Sequence, residues 1–154
     1  MKKIDFVFIG LPKDESYKAL ERSYHDKIRR YTGSELQYLK DSPEKNLVLK
    51  QKKESQSILG KIKAEDMVVL CDERGKSFVS TKFSENLRTW QENSQRIVFI
   101  IGGAFGVAED LFTRANFILK LSDFTMPHEL ARVVLLEQVY RAQTILKGQK
   151  YHHE

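Results

Sequence analysis

The sequence predicts an α/β fold, a mainly parallel sheet with helices on both faces. Three observations predict it. Five short apolar runs, rich in β-branched and aromatic residues, recur along the 154 residues. Segments with apolar residues at helical spacing separate them. Two of the runs, Met67–Cys71 and Ile97–Ile101, are apolar without alternation, as strands buried on both faces must be.

Ile4–Ile9 reads as the first strand, interrupted only by Asp5 and closed by Gly10. From Asp14 to about Tyr31, the residues Tyr17, Leu20, Tyr24 and Ile28 share one helix face. Leu36 and Tyr38 mark a short second strand. Pro43 is suited to the first turn of a lysine-rich helix running to about Lys63. Met67–Cys71 is the third strand, and Asp72–Val79, with Gly75 as its turn residue, the most loop-like stretch. A helix from Ser80 to about Glu92 carries Phe83, Leu87 and Trp90 on one side. Ile97–Ile101 is the fourth strand, Ala108–Ala115 a short helix and Phe117–Leu121 the last strand. A long helix follows Pro127 and runs to about Leu146, with Thr125 placed to cap it. No linker, repeat or low-complexity segment interrupts this order, so residues 1–154 are expected to form one domain.

Composition narrows the function. Hydrophobic residues make up 41% and charged residues 31%, which suits a packed domain with a solvated surface. No apolar run approaches the roughly 18 residues that cross a bilayer. The first apolar run is also too short for a secretory signal, so a cytoplasmic location is expected. The net charge of +5 points mildly to a polyanionic partner. Cys71 is the one cysteine, excluding an internal disulfide and a cysteine-cluster metal site. Tyr151-His152-His153-Glu154 carries two histidines but no HExxH helix accompanies them, so no metal is expected. A G-x-S-x-G elbow is lacking too. The first strand ends Ile9-Gly10-Leu11-Pro12 without the acidic cluster that a receiver domain needs.

In a parallel sheet, ligands bind beyond the carboxyl ends of the strands. Three loops lie there: Asp72–Lys76, Gly102–Gly106 and Ser122–Pro127. The second holds three glycines that let main chain approach a ligand. It matches neither G-x-G-x-x-G nor a phosphate-binding Gly-Lys-Ser/Thr pattern, so a tight strand-to-helix turn stays open beside a ligand loop. The final helix, with Leu130, Val133, Val134, Leu135, Leu136, Val139 and Tyr140, is apolar over too much of its circumference for a surface helix. A partner subunit is the natural cover for its outer side.

Taken in order, these segments resemble a known family. Val69-Leu70-Cys71-Asp72 with Gly75-Lys76, Phe99-Ile100-Ile101-Gly102-Gly103-Ala104-Phe105-Gly106, and Leu121 through Val133 continuing into Glu137-Gln138-Val139-Tyr140-Arg141-Ala142 and Tyr151-His152 resemble the RlmH family. These are large-subunit ribosomal RNA methyltransferases of the knotted SPOUT class. The resemblance spans essentially the whole chain. It implies a C-terminal trefoil knot, a homodimer with the active site at the subunit interface, and S-adenosylmethionine as methyl donor. It implies transfer to N3 of a pseudouridine in 23S ribosomal RNA within the assembled ribosome. By matching position, Cys71, Gly102, Ser122, Asp123, Phe124, Thr125, Met126 and Pro127 would contact the cofactor. The family usually has leucine at position 71, a change that an apolar or main-chain contact survives.

Pseudouridine N3–H is a weak acid, so a base or a cationic stabiliser of the developing anion should assist. His152 is the candidate base. Arg132 and Arg141 are candidate anion clamps, and His128 is a weaker candidate that supports the loop. Lys27, Arg29, Arg30, Lys50, Lys52 and Lys53 are candidate phosphate contacts. The competing reading is a non-catalytic RNA- or ribosome-binding module of the same fold, which would bind no S-adenosylmethionine.

Overall fold

The computed structural model describes residues 2–153. The elements alternate as β1 (Lys3–Ile9), α1 (Glu15–Arg29), β2 (Leu36–Leu39), α2 (Leu47–Leu59), β3 (Met67–Lys76), α3 (Ser80–Asn93), β4 (Arg96–Ile101), α4 (Glu109–Arg114), β5 (Phe117–Leu119) and α5 (His128–Leu146). The five strands form one sheet in the order β2-β1-β4-β3-β5, and every neighbouring pair is parallel. Helices lie on both faces, as expected for a sheet of this kind.

Side chains alternate across each strand, and the two faces build separate cores. Ile4, Phe6 and Phe8 of β1 join Phe99, Leu87 and Leu135 on the face covered by α1, α3 and α5. Val7 and Ile9 join Val98, Ile100, Ile58 and Leu111 on the face covered by α2 and α4. Aromatic rings are concentrated on the first face, where Phe6 and Phe99 stack with centroids 5.6 Å apart. One ion cluster locks the amino ends of the strands. Arg96 donates from Nε to Asp5 Oδ2 and from Nη1 to Asp66 Oδ2, both at 2.7 Å, and both carboxylates are almost fully buried.

Four local expectations change. Pro43 does not open α2; Asn46 caps it, accepting from Leu49 N at 3.0 Å, so the helix starts four residues later. β3 is longer than the apolar run. Cys71 and Lys76 both pair with Leu119, so residues 72–75 arch out of the ladder and the strand then resumes. Gly75 is therefore not a turn residue: a Cβ there would collide with the Ile118 carbonyl of β5, and its backbone is not left-handed. At α5 the N-cap is Pro127 rather than Thr125, and no side chain caps the helix.

Candidate functional site

The carboxyl ends of β3, β4 and β5 open into a cleft of about 640 Å³. All three loops singled out by their position in the sheet contribute to its lining. From β3 come Cys71, Asp72 and Glu73; after β4 come Gly102 to Val107; after β5 come Lys120 to Ser122 and Phe124 to His128.

The glycine loop folds back on itself. Gly103 and Gly106 form an isolated antiparallel bridge, and Gly106 N donates to Gly103 O at 3.1 Å. Gly106 has φ +84°, a conformation that side-chain-bearing residues rarely adopt. Gly102 is needed for a different reason: a Cβ there would lie 2.5 Å from Val107 Cγ1. A side chain at 102 would meet the loop itself first.

Helix α2 holds this loop from below. Gln51 Nε2 donates to Phe105 O at 2.5 Å, and Ser55 Oγ accepts from Ala108 N at 2.9 Å. Between them, the Glu54 carboxylate lies 3.0 Å from where a Gly103 Cβ would be. Glu54 is buried and itself fixed by Ser42 N at 2.9 Å and Lys50 at 3.2 Å. Three residues on one helix face, the outer two four residues apart, thus set the loop's height. Sequence reading missed them because their partners lie about fifty residues away and nothing local marks them.

The segment after β5 is shaped by its own hydroxyl, since Ser122 Oγ accepts from Phe124 N at 3.0 Å. Phe124 is 86% exposed and Phe105 56% exposed, so two aromatic rings flank the opening of the cleft. Asp123 is not brought in. It pairs with Lys120 at 2.8 Å with its side chain almost fully in solvent, and that lysine holds its carboxyl below the usual range. Cys71 lines the cleft, and burial with the Asp72 charge pushes its thiol far up, so it offers an apolar wall and not a nucleophile.

Of the four candidate catalytic residues, only His128 lines the cleft. Burial and the nearby Arg132 push its imidazole pKa down, so it stays neutral near neutral pH. Arg132 lies in the core. It is fully buried, donates from Nη2 to Ile9 O, and has its guanidinium over the Phe8 and Tyr38 rings at 5.3 and 5.9 Å. Glu21 and Glu129 are the carboxylates opposing it, and burial pulls its pKa below the ordinary arginine value.

Arg141 and His152 are brought together, away from the cleft. Glu137 accepts from Arg141 Nε at 2.7 Å, Arg141 Nη1 lies 3.1 Å from His152 Nδ1, and the guanidinium covers the Tyr151 ring at 4.8 Å. A guanidinium only donates, so Nδ1 accepts and the neutral ring carries its proton on Nε2. In this arrangement His152 has no free lone pair. It presents an N–H donor on Nε2.

The candidate phosphate contacts divide as well. Lys27 sits over the Tyr24 and Tyr140 rings at 5.2 and 5.4 Å. Lys50 is tied to Glu54 and Asp41, and Lys53 to Glu44 at 2.6 Å. Arg29, Arg30 and Lys52 stay exposed.

A family model described as predicted SPOUT methyltransferase matches residues 2–152. The chain belongs to the SPOUT methyltransferase family. Curated relatives named ribosomal RNA large subunit methyltransferase H are similar along nearly the full length. The protein from Maridesulfovibrio salexigens is 39% identical over 155 residues, covering 99% of each chain. That from Christiangramia forsetii is 38% identical, covering 97% of this chain and 98% of its own. A solved structure titled as a probable rRNA-methyltransferase from Porphyromonas gingivalis superposes with a TM-score of 0.59 over 94% of this chain and 70% of that one. At 11% identity that likeness concerns the fold.

Proposed function

We propose that this SPOUT methyltransferase carries a methyl group from S-adenosylmethionine to N3 of a pseudouridine in large-subunit ribosomal RNA, as a homodimer acting on the assembled ribosome. The observation that carries the reading is the cleft. It is lined by the glycine loop and the segment after β5, its walls include Cys71, Leu121 and Met126, and two aromatic rings flank it. An adenosyl group needs such a slot, and the volume falls within the range of about 300–1,000 Å³ for small-molecule sites.

The bound donor would supply a methyl group on an electrophilic sulfonium. This chain's residues supply position. Gly102 to Val107 and Ser122 to Pro127 would grip the adenosyl part through main chain, and Cys71 would close the apolar wall. Aligning the acceptor with the methyl is worth more here than covalent help. As N3 gives up its proton to solvent water, charge spreads to the neighbouring carbonyl oxygens of the base. The Nε2–H of His152, held by Arg141, is suited to donate to such an oxygen.

The Arg141–His152 pair does not line the cleft of its own chain. A second copy would deliver it there. The outer side of α5 supports that reading. Leu130 is 36% exposed, and Val134 lines a hollow with Phe78 and the largely exposed Val79. Burying that flank on a symmetric partner would remove apolar surface from water. The reading brings the C-terminal trefoil knot with it.

Calorimetric titration with S-adenosylmethionine, alongside sedimentation equilibrium, tests it. Saturable binding by a dimer is expected. A protein that binds no donor would be the non-catalytic ribosome-binding module instead.

A further inference from the structure

A second groove, of about 730 Å³, opens between α1 and β2. Lys18, Arg22 and Arg29 line it from one side of α1, four and then seven residues apart. That spacing keeps them on one helix face over a length of about 16 Å. All three are exposed, and none joins an ion pair among the described residues. The carboxylates at the groove are Asp26 and Glu35, and Glu35 is already paired with Lys3 at 3.9 Å. The opposite wall is β2, an edge strand with its outer main chain unpaired. Exposed main-chain amides and free cations along one channel suit a chain of phosphates.

The groove and the cleft share no lining residue, but one turn of the chain links them. Leu11 and Pro12 close the groove at the carboxyl end of β1. The adjoining Lys13 N donates to Glu129 Oε1 at 3.3 Å, which ties this turn to the first turn of α5. The same turn of α5 brings Pro127 and His128 into the cleft. We propose that the groove holds the ribose-phosphate backbone of the RNA strand flanking the target base. This rests on the reading of the chain as a ribosomal RNA methyltransferase. It keeps Arg29 among the expected phosphate contacts, adds Lys18 and Arg22, and leaves out the lysines of α2, two of which are tied to carboxylates.

The test compares full-length wild type, Arg22→Glu/Arg29→Glu, and a charge-matched variant on α3, Lys82→Glu/Arg88→Glu. The substituted side chains are exposed, so the fold should survive. Binding to purified ribosomes lacking the methyl group is measured across a salt series. The groove variant should lose at least tenfold in affinity at about 0.1 M salt. Its slope of log K against log salt should shrink by about 1.4, the value for two single-strand phosphate contacts at about 0.7 each. The loss should show in KM for ribosomes, with S-adenosylmethionine affinity by calorimetry unchanged. Wild-type ribosome affinity in the groove variant would overturn the proposal while leaving the methyltransferase reading intact. So would an equal loss in the α3 variant, which would signal bulk charge. A wild type that binds donor but no ribosome overturns the groove, and one that binds neither overturns both.

Discussion

Replacing Gly102 by alanine places a methyl carbon 2.5 Å from Val107 Cγ1, where carbon atoms normally stop at about 3.5–4.0 Å. At least about 1 Å must be recovered. Strand β4 lies on one side and the loop on the other, so the loop, held at Phe105 and Ala108 by α2, must give. Overpacking of this kind costs about 1–3 kcal/mol. If that strain falls on the donor-binding conformation, affinity for S-adenosylmethionine drops by between about fivefold and a hundredfold, at about 1.4 kcal/mol per decade. The assay is isothermal calorimetry on Gly102→Ala, Val107→Ala and the double variant. Val107→Ala removes the colliding methyl, so the double variant should bind within about threefold of Val107→Ala alone, a coupling that the cycle isolates. Unaltered affinity in Gly102→Ala, or a double variant as weak as the single one, would refute the reasoning.

Other consequences concern the tail, the ion cluster and pH. His152→Asn keeps a side-chain N–H donor and should retain more turnover than His152→Asp, which offers only an acceptor; single-turnover rates in the reverse order would restore the base. Arg96→Leu strands the buried Asp5 and Asp66 carboxylates, which should cost about 3–5 kcal/mol and lower the thermal midpoint by about 6–20 °C, read by calorimetry. The His25 and His128 imidazoles both have pKa values lowered mainly by burial. The unfolded chain therefore binds more protons in acid, so stability is fully present above about pH 6.5 and is lost as pH falls below it. His25→Gln/His128→Gln should flatten that slope in thermal melts, and an unchanged slope would assign it to other groups.

The strands and their parallel order of burial were legible because β-branched apolar runs leave little alternative. Helix starts were harder: Pro43 and Asn46 both suit an N-terminus, and the Glu54–Ser42 contact decides where the chain turns. Residues 72–75 read as a loop, and they do leave the ladder, but the return of β3 at Lys76 depends on β5, which local sequence does not show. At the site, glycine and hydroxyl patterns exposed the two main-chain loops. They could not separate Asp123 in solvent from its neighbours in the cleft, nor place Arg132 in the core. Arginine reads as a surface residue until its neighbours Ile9, Phe8 and Tyr38 are known. The proton's place on the His152 ring depends on one bond to Arg141, eleven residues away, which local sequence does not show.

The most direct measurement incubates ribosomes from a strain lacking this activity with the purified protein and S-adenosylmethionine, then maps nuclease fragments of the ribosomal RNA by mass spectrometry. One methyl increment on a pseudouridine of the large-subunit RNA, located at N3 by fragmentation, is the expected result. RNA that gains no methyl group from a protein shown to bind the donor, or gains it on another base type, would contradict the account.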